Sequence, residues 1–237
     1  MLDNTPPPRR LVLPPPYTAH WLPKGDAFAE ARKRAPEDGA GTLVWHHSSS
    51  GEAPGRFDFA VVLEPGMPLA EARKAVLIGM VALADAVAAH CPPERDVRFG
   101  WPTELVLDAG RLGGMRLAVA PQTGEAEEPA WMVLGVELIA DRNHLDQSGA
   151  YPGSVSLAEE DFEDPAAILE SFAAHLMLNF DRWTHGGFAS VAAMYAGRLN
   201  DDGAIGEAGE LIRGGQSEPI AQGLENADWR DAEGPRL

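Results

Sequence analysis

WPTELVLDAGRLGGMRLAVA at residues 101–120 and WMVLGVELIA at 131–140 decide the fold. Three aliphatic and β-branched runs lie close together here: Glu104 to Leu107, Leu112 to Ala120 and Trp131 to Ala140. Asp108, Ala109 and Gly110 leave room only for a tight turn between the first two, which predicts an antiparallel hairpin. The acidic stretch 122–129 is a loop leading to the third run. Links this short favour antiparallel neighbours, because parallel strands need a crossover of a dozen or more residues. The expected class is α+β, with a sheet that meanders.

Upstream, Phe57, Phe59, Val61 and Leu63 take alternate positions and so share one face of a strand, ended by Pro65, Gly66 and Pro68. Thr42 to Trp45 reads as another strand, and HHSSSGEAPG at 46–55 as the loop between the two. Leu69, Ala72, Val76, Met80, Leu83 and Val87 recur at three and four residues, predicting a helix from Pro68 to His90 that buries an apolar stripe on the sheet. Asp164 and Pro165 are an N-cap and a favoured first helical residue. They open a helix carrying Ile168, Phe172, Leu176, Phe180 and Trp183, stopped by Gly186 and Gly187. Phe188, Val191 and Tyr195 suggest a shorter helix after it. A further short helix is expected over Asp26 to Ala35, broken by Pro36. The proline-rich stretch Pro6 to Pro23 reads as extended chain on the surface, forming no element. After Leu199 a small β appendage or loose tail is expected. The predicted layout is a proline-rich segment 1–25, a main domain 26–199 and an appendage 200–237.

Charge narrows the function classes. Thirty-six acidic against 19 basic residues give a net charge of −17, which repels a phosphate backbone, so nucleic acid is not an expected partner. The basic run Arg32, Lys33 and Arg34 reads as a solvated helix face. A single cysteine, Cys91, excludes an internal disulfide and any cysteine metal cluster. No apolar run approaches the roughly 20 residues of a membrane span, and the proline-rich start resembles no signal or transit peptide. The cytoplasm is the expected location.

Common catalytic signatures are missing. HExxH, DxDxDG, GxxxxGK[ST], GxGxxG and GxSxG do not occur, although Ser48, Ser49 and Ser50 follow His46 and His47. The two histidines are strand neighbours that point to opposite faces, so they do not readily share a metal. Glycines inside strands are more informative, because they remove packing and mark bulges or surfaces where something lies against the backbone. Gly113, Gly114 and Gly135 are such positions, with Gly51 and Gly55 in the loop. Large neighbours such as Trp101 and Trp131 filling that space is the equal alternative.

The order of these segments resembles the biotin and lipoate protein ligase family, in particular its ligase-like branch. WPTEL at 101–105, the turn 108–110, RLGGMRL at 111–117 and WMVLGVEL at 131–138 are similar to that family's succession of a WPND-type strand, a turn, a KxxG strand and a glycine-bearing strand. GTLVW at 41–45, the loop to Arg56 and FDFAVVLEP at 57–65 stand where the family has its adenylate loop and the strand after it. FAAHLMLNFDRWTHGGF at 172–188 resembles its closing helix.

The resemblance implies a mixed, largely antiparallel sheet with helices on one side, and a pocket for an acyl adenylate. It implies ATP with Mg, an acid such as biotin, lipoate or octanoate, transfer of the acyl group to a lysine of a biotinyl or lipoyl carrier domain, and a possible homodimer. By position, Arg111 replaces the family's lysine and is the candidate catalytic residue. His46, His47, Gly51, Gly55, Arg56, Trp101, Gly113, Gly114 and Gly135 are the candidate substrate-binding residues, with Arg56 and Arg111 as positive groups over a Gly113–Gly114 floor. The departures speak against ATP. The loop keeps Arg56 but lacks further arginines and brings in Glu52, Thr103 and Glu104 replace the WPND asparagine and aspartate, and arginine is not a conservative substitute for a fitted lysine. A noncatalytic protein that binds an acid, an acyl group or a carrier domain is the second expectation.

Overall fold

The computed structural model describes residues 9–49, 51, 53–145 and 153–237. The expectations placed on Pro6 to Pro8, Ser50 and Glu52 lie outside the described residues.

A seven-stranded sheet runs in the order β1-β2-β3-β7-β6-β5-β4. Its strands are β1 (Thr18–Trp21), β2 (Thr42–Ser48), β3 (Gly55–Leu63), β4 (Val97–Gly100), β5 (Glu104–Leu107), β6 (Gly110–Val119) and β7 (Met132–Asp141). Only the β1–β2 pair is parallel; the other five pairs are antiparallel. The sheet is thus mixed and largely antiparallel. The hairpin turn between β5 and β6 is built as its residues dictate, with Asp108 and Ala109 both at positive φ, 48° and 68°.

β1 corrects one expectation. Part of the proline-rich stretch does form an element, because after Pro16 the residues Thr18 to Trp21 have free amides and pair with Thr42 to Trp45. Likewise the first helix, α1 (Ala27–Asp38), carries Pro36 in its last turn rather than stopping before it.

The helix expected over 68–90 is divided into α2 (Leu69–Ala72) and α3 (Ala75–Ala88). Twelve of α3's residues are buried, including those off the predicted stripe. The reason is a second layer: α4 (Pro165–Gly186) and α5 (Phe188–Ala196) cover the side of α3 that faces away from the sheet. Phe57, Phe59, Val61, Leu134, Val136 and Leu138 point into this larger core. α4 begins as predicted, with the Asp164 side chain accepting a hydrogen bond from the Ala166 amide.

The opposite sheet face carries a smaller core. Phe28, Ala31 and Ala35 of α1 pack on Val44, Ala60, Val62 and Val133. β7 is buried along its whole length because both faces are covered, which explains the unbroken apolar reading of MVLGV. Beyond α5 lie β8 (Ala204–Ile205), β9 (Leu211–Arg213) and β10 (Gln216–Glu218), a small antiparallel sheet, then α6 (Ile220–Asn226). Among the described residues no helix is long and apolar enough to cross a membrane.

Candidate functional site

Strand register sets up the site. Cross-strand partners point the same way, so one row of side chains runs from His46 on β2 through Asp58 on β3, Glu137 on β7 and Gly114 on β6 to Glu104 on β5. This row lies on the α1 side, below the helix. The next row on that face, Val44, Ala60, Gly135 and Arg116, sits under α1 itself. A Cβ on Gly135 would collide with the Phe28 ring, so this glycine serves the helix contact.

The row buries two carboxylates, Asp58 and Glu137, each 1% exposed. A buried charge must be paired and hydrogen-bonded to be tolerable. Glu137 meets this with three arginines. Arg116 Nη1 reaches Oε1 at 2.5 Å and Arg56 Nη2 reaches the same oxygen at 3.4 Å. Arg230 Nε donates to Oε2 at 2.9 Å. Arg116 also bridges to Asp26 at 3.0 Å and lies over the Phe28 ring, 4.1 Å from its centroid. Asp26 in turn caps α1.

Asp58 is held less completely. Its Oδ2 accepts a hydrogen bond from the Ala27 amide at 2.9 Å, while Oδ1 lies 3.9 Å from Arg56 Nε, and among the described residues neither of those last two atoms has a hydrogen-bond partner. Burial pushes the Asp58 carboxyl up to about 6, against the lowering effect of the Ala27 amide and Arg56.

The lower half of this face is covered by residues 229–236. Trp229 is 3% exposed; its indole N–H donates to Thr103 Oγ1 at 3.1 Å, and its ring occupies the space that a Gly114 side chain would need. Arg230 lies on Glu137, the Glu233 carbonyl accepts from Arg56 at 3.5 Å, and the Arg236 carbonyl accepts from Arg111 at 3.3 Å. A cavity of about 170 Å³ remains between this segment and residues 53–56.

The predicted site residues therefore separate. Arg56, Gly55 and Gly114 come together under segment 229–236. Gly113 is required for strand approach, since a Cβ there would strike the Glu137 carbonyl. Arg111 borders the groove, with Nε donating to Glu104 Oε1 at 2.6 Å. His46 shares the row, its Nδ1 2.9 Å from the Leu22 carbonyl oxygen. His47 faces the other way, edge-on to Phe57, and burial lowers its pKa. The expectation that the two histidines point apart is thus met. Gly51 is exposed, and among the described residues none lies within 4 Å of the position of a Cβ. Trp101 is not in the groove: it packs edge-on against Tyr195, and its indole nitrogen abuts Gly223 of α6. The space above Gly135 and Gly114 is filled by aromatic rings, as the alternative held, but by Phe28 and Trp229 rather than Trp101 and Trp131.

Asp26, Asp58, Arg116, Glu137, Trp229 and Arg230 were not foreseen. For Asp58 and Glu137 the signal was present: a single acid inside an apolar strand, in FDFAVV and LGVELIA. Trp229 and Arg230 follow a glycine-rich, acidic stretch that gives no periodic pattern.

A wider depression of about 740 Å³ lies between α5 and β8. Its buried cation, Lys74, is already engaged by Glu71 at 2.7 Å and by the Phe188 ring. It lacks the converging polar groups of the α1 face.

A mixed sheet with α3, α4 and α5 on one side and a charged, glycine-bearing groove on the other defines a ligase-type catalytic-domain fold. The chain belongs to the biotin/lipoate A/B protein ligase family, whose sequence model matches residues 13–197. It is similar in structure to a biotin protein ligase-like protein of unknown function from Silicibacter sp. TM1040, at 22% identity and a TM-score of 0.77, covering 91% of this chain and 99% of that one. The biotin protein ligase of Aquifex aeolicus matches at 11% identity and a TM-score of 0.66, covering 87% and 97%. The Helicobacter pylori biotin acetyl coenzyme A carboxylase synthetase with bound biotinylated ATP matches at 13% and 0.57, covering 85% and 98%. No curated protein is similar enough in sequence to count as a match.

ATP is the group that such relatives bring to mind, and the groove does not suit it. A triphosphate needs cations that are free to meet it. Arg56, Arg111 and Arg116 are each within ion-pair distance of a carboxylate of this chain.

Proposed function

We propose that this protein is a ligase-like binding protein that holds the lysine-bearing loop of a biotinyl or lipoyl carrier domain in the groove on the α1 face, without adenylating an acid itself. One observation carries this reading: Arg56, Arg111 and Arg116 each lie within ion-pair distance of an acid of this chain, and the buried acid at the groove's centre, Glu137, takes a cation on Oε2. A groove so charged favours the ammonium or amide N–H of a lysine over a free carboxylate or a phosphate. Gly114, once Trp229 is displaced, gives the acyl arm of a modified lysine a surface to lie on. The test is pyrophosphate exchange with ATP, Mg and each of biotin, lipoate and octanoate. No exchange is expected; exchange with any of the three would overturn the reading.

A second reading is favoured by Asp58, whose pKa near 6 suits a group that accepts a proton from an amine. In it the carrier lysine attacks a preformed acyl thioester, a C–N bond forms, the C–S bond breaks, and the thiol leaves with the proton. Acylation of an apo carrier domain from an octanoyl thioester, lost in Asp58→Asn, would favour this over binding alone.

A further inference from the structure

We propose that residues 229–236 are an internal pseudo-ligand: Trp229 and Arg230 occupy a groove made for an aromatic or apolar body and a cationic end, and a partner peptide with a basic side chain displaces them. The proposal rests on the carrier-binding reading above and names how access to that groove is controlled.

Four features of the segment support an occupant rather than a structural strand. Its contacts to the main sheet go through side chains and carbonyl oxygens, with no strand pairing to β3, β6 or β7. Among the described residues its single bridge is internal, between Arg230 and Pro235. The floor is cut to fit it, since Gly114 leaves the space that Trp229 fills and Thr103, 1% exposed, meets the indole N–H. The charge also fits: Arg56 and Arg116 share Glu137 Oε1, and among the described residues Arg230 alone hydrogen-bonds Oε2.

Lifting the segment away would leave a buried carboxylate oxygen without a donor, which costs free energy until another donor arrives. That requirement selects the incoming group. Counting Asp26, Asp58 and Glu137 against Arg56 and Arg116, the open groove carries an excess of negative charge, so a lysine or arginine side chain fits where an acid does not. Competition between the internal segment and the partner raises the apparent Kd to the intrinsic Kd divided by the fraction of time the groove is open.

The experiment uses a chain ending at Asp228 and a synthetic peptide of residues 227–237, ADWRDAEGPRL. Calorimetry should show one-to-one binding of this peptide to the shortened chain and none to the full chain. The peptide with its arginine at 230 replaced by alanine should bind about tenfold or more weakly, as expected when a buried charge loses its partner. A folded shortened chain that ignores the peptide overturns the proposal. Should the shortened chain not fold, the full-length Arg230→Glu variant serves instead. Its own segment is repelled by Glu137, so it should bind the wild-type peptide, and failure to do so overturns the proposal equally. Peptide binding without carrier-domain binding would keep this proposal and remove the carrier reading. Carrier-domain binding of equal strength by the full and shortened chains would do the reverse.

Discussion

The Cβ that Gly114 lacks would lie 2.7 Å from the indole ring of Trp229, a residue that reaches β6 from beyond the small C-terminal sheet. Gly114→Ala should therefore expel Trp229 while also pressing on the Thr103 carbonyl. The expected loss is about 1–3 kcal/mol, the usual range for an overfilled site. Thermal unfolding gives the loss. Tryptophan emission, compared with that of Trp229→Phe, shows whether the indole has moved into water.

Asp58 makes stability depend on pH in a direction opposite to most paired acids. Its folded pKa, about 6, stands above the ordinary 3.8, so the folded chain binds the proton more tightly than the unfolded one. The stability from protonated Asp58 is present in full below about pH 4 and is lost as pH rises through about 6. The single-group contribution is about 3 kcal/mol at most. Asp58→Asn keeps an oxygen for the Ala27 amide and should flatten the profile between pH 4 and 7. An unchanged slope in that variant would show that Asp58 is ionised throughout.

Glu137 and its arginines are expected to act as one unit. Glu137→Ala strands Arg116, Arg56 and Arg230 around a buried gap and should cost about 3–5 kcal/mol. Arg230→Ala should cost less, because Arg116 and Arg56 stay on the carboxylate when Arg230 is gone. Denaturant unfolding of both single variants and the double variant would give a coupling energy well above zero, the mark of direct contact.

Arg111 should be mild. It is 21% exposed and paired with an equally exposed Glu104, so Arg111→Ala is expected to cost about 1 kcal/mol or less in denaturant unfolding. Its hydrogen bond to the Arg236 carbonyl predicts a second effect, faster amide exchange across residues 229–236. Exchange unchanged there, with a large loss of stability, would place Arg111 in the core rather than at the groove's rim.

Sequence and structure agree where local chemistry acts alone. The Asp108–Gly110 turn, the Asp164–Pro165 helix start and the pairing of 111–120 with 131–140 all depend on near neighbours, and each was legible. Twofold burial was missed. Its signal went unused: in the Ala75–Ala88 stretch every residue but Asp85 is apolar or glycine, the composition of a helix enclosed on all sides, here by the sheet and α4. The site was half legible: Gly114 and Arg56 stood out as a strand glycine and a loop cation, yet what faces them comes from Trp229 and Arg230 in an unpatterned segment. Trp101 shows the limit most clearly. It lies two residues before Thr103, a groove residue, but its ring turns toward Tyr195 and Gly223.

The most direct test of the account is titration of a purified biotinyl or lipoyl carrier domain into the full chain and into the chain ending at Asp228, with and without ATP and Mg. Saturable one-to-one binding is expected, tighter for the shortened chain, indifferent to ATP, and weakened when the carrier's modifiable lysine is replaced by alanine. Binding that ignores that lysine, or a carrier domain acylated only when ATP and an acid are present, would contradict it.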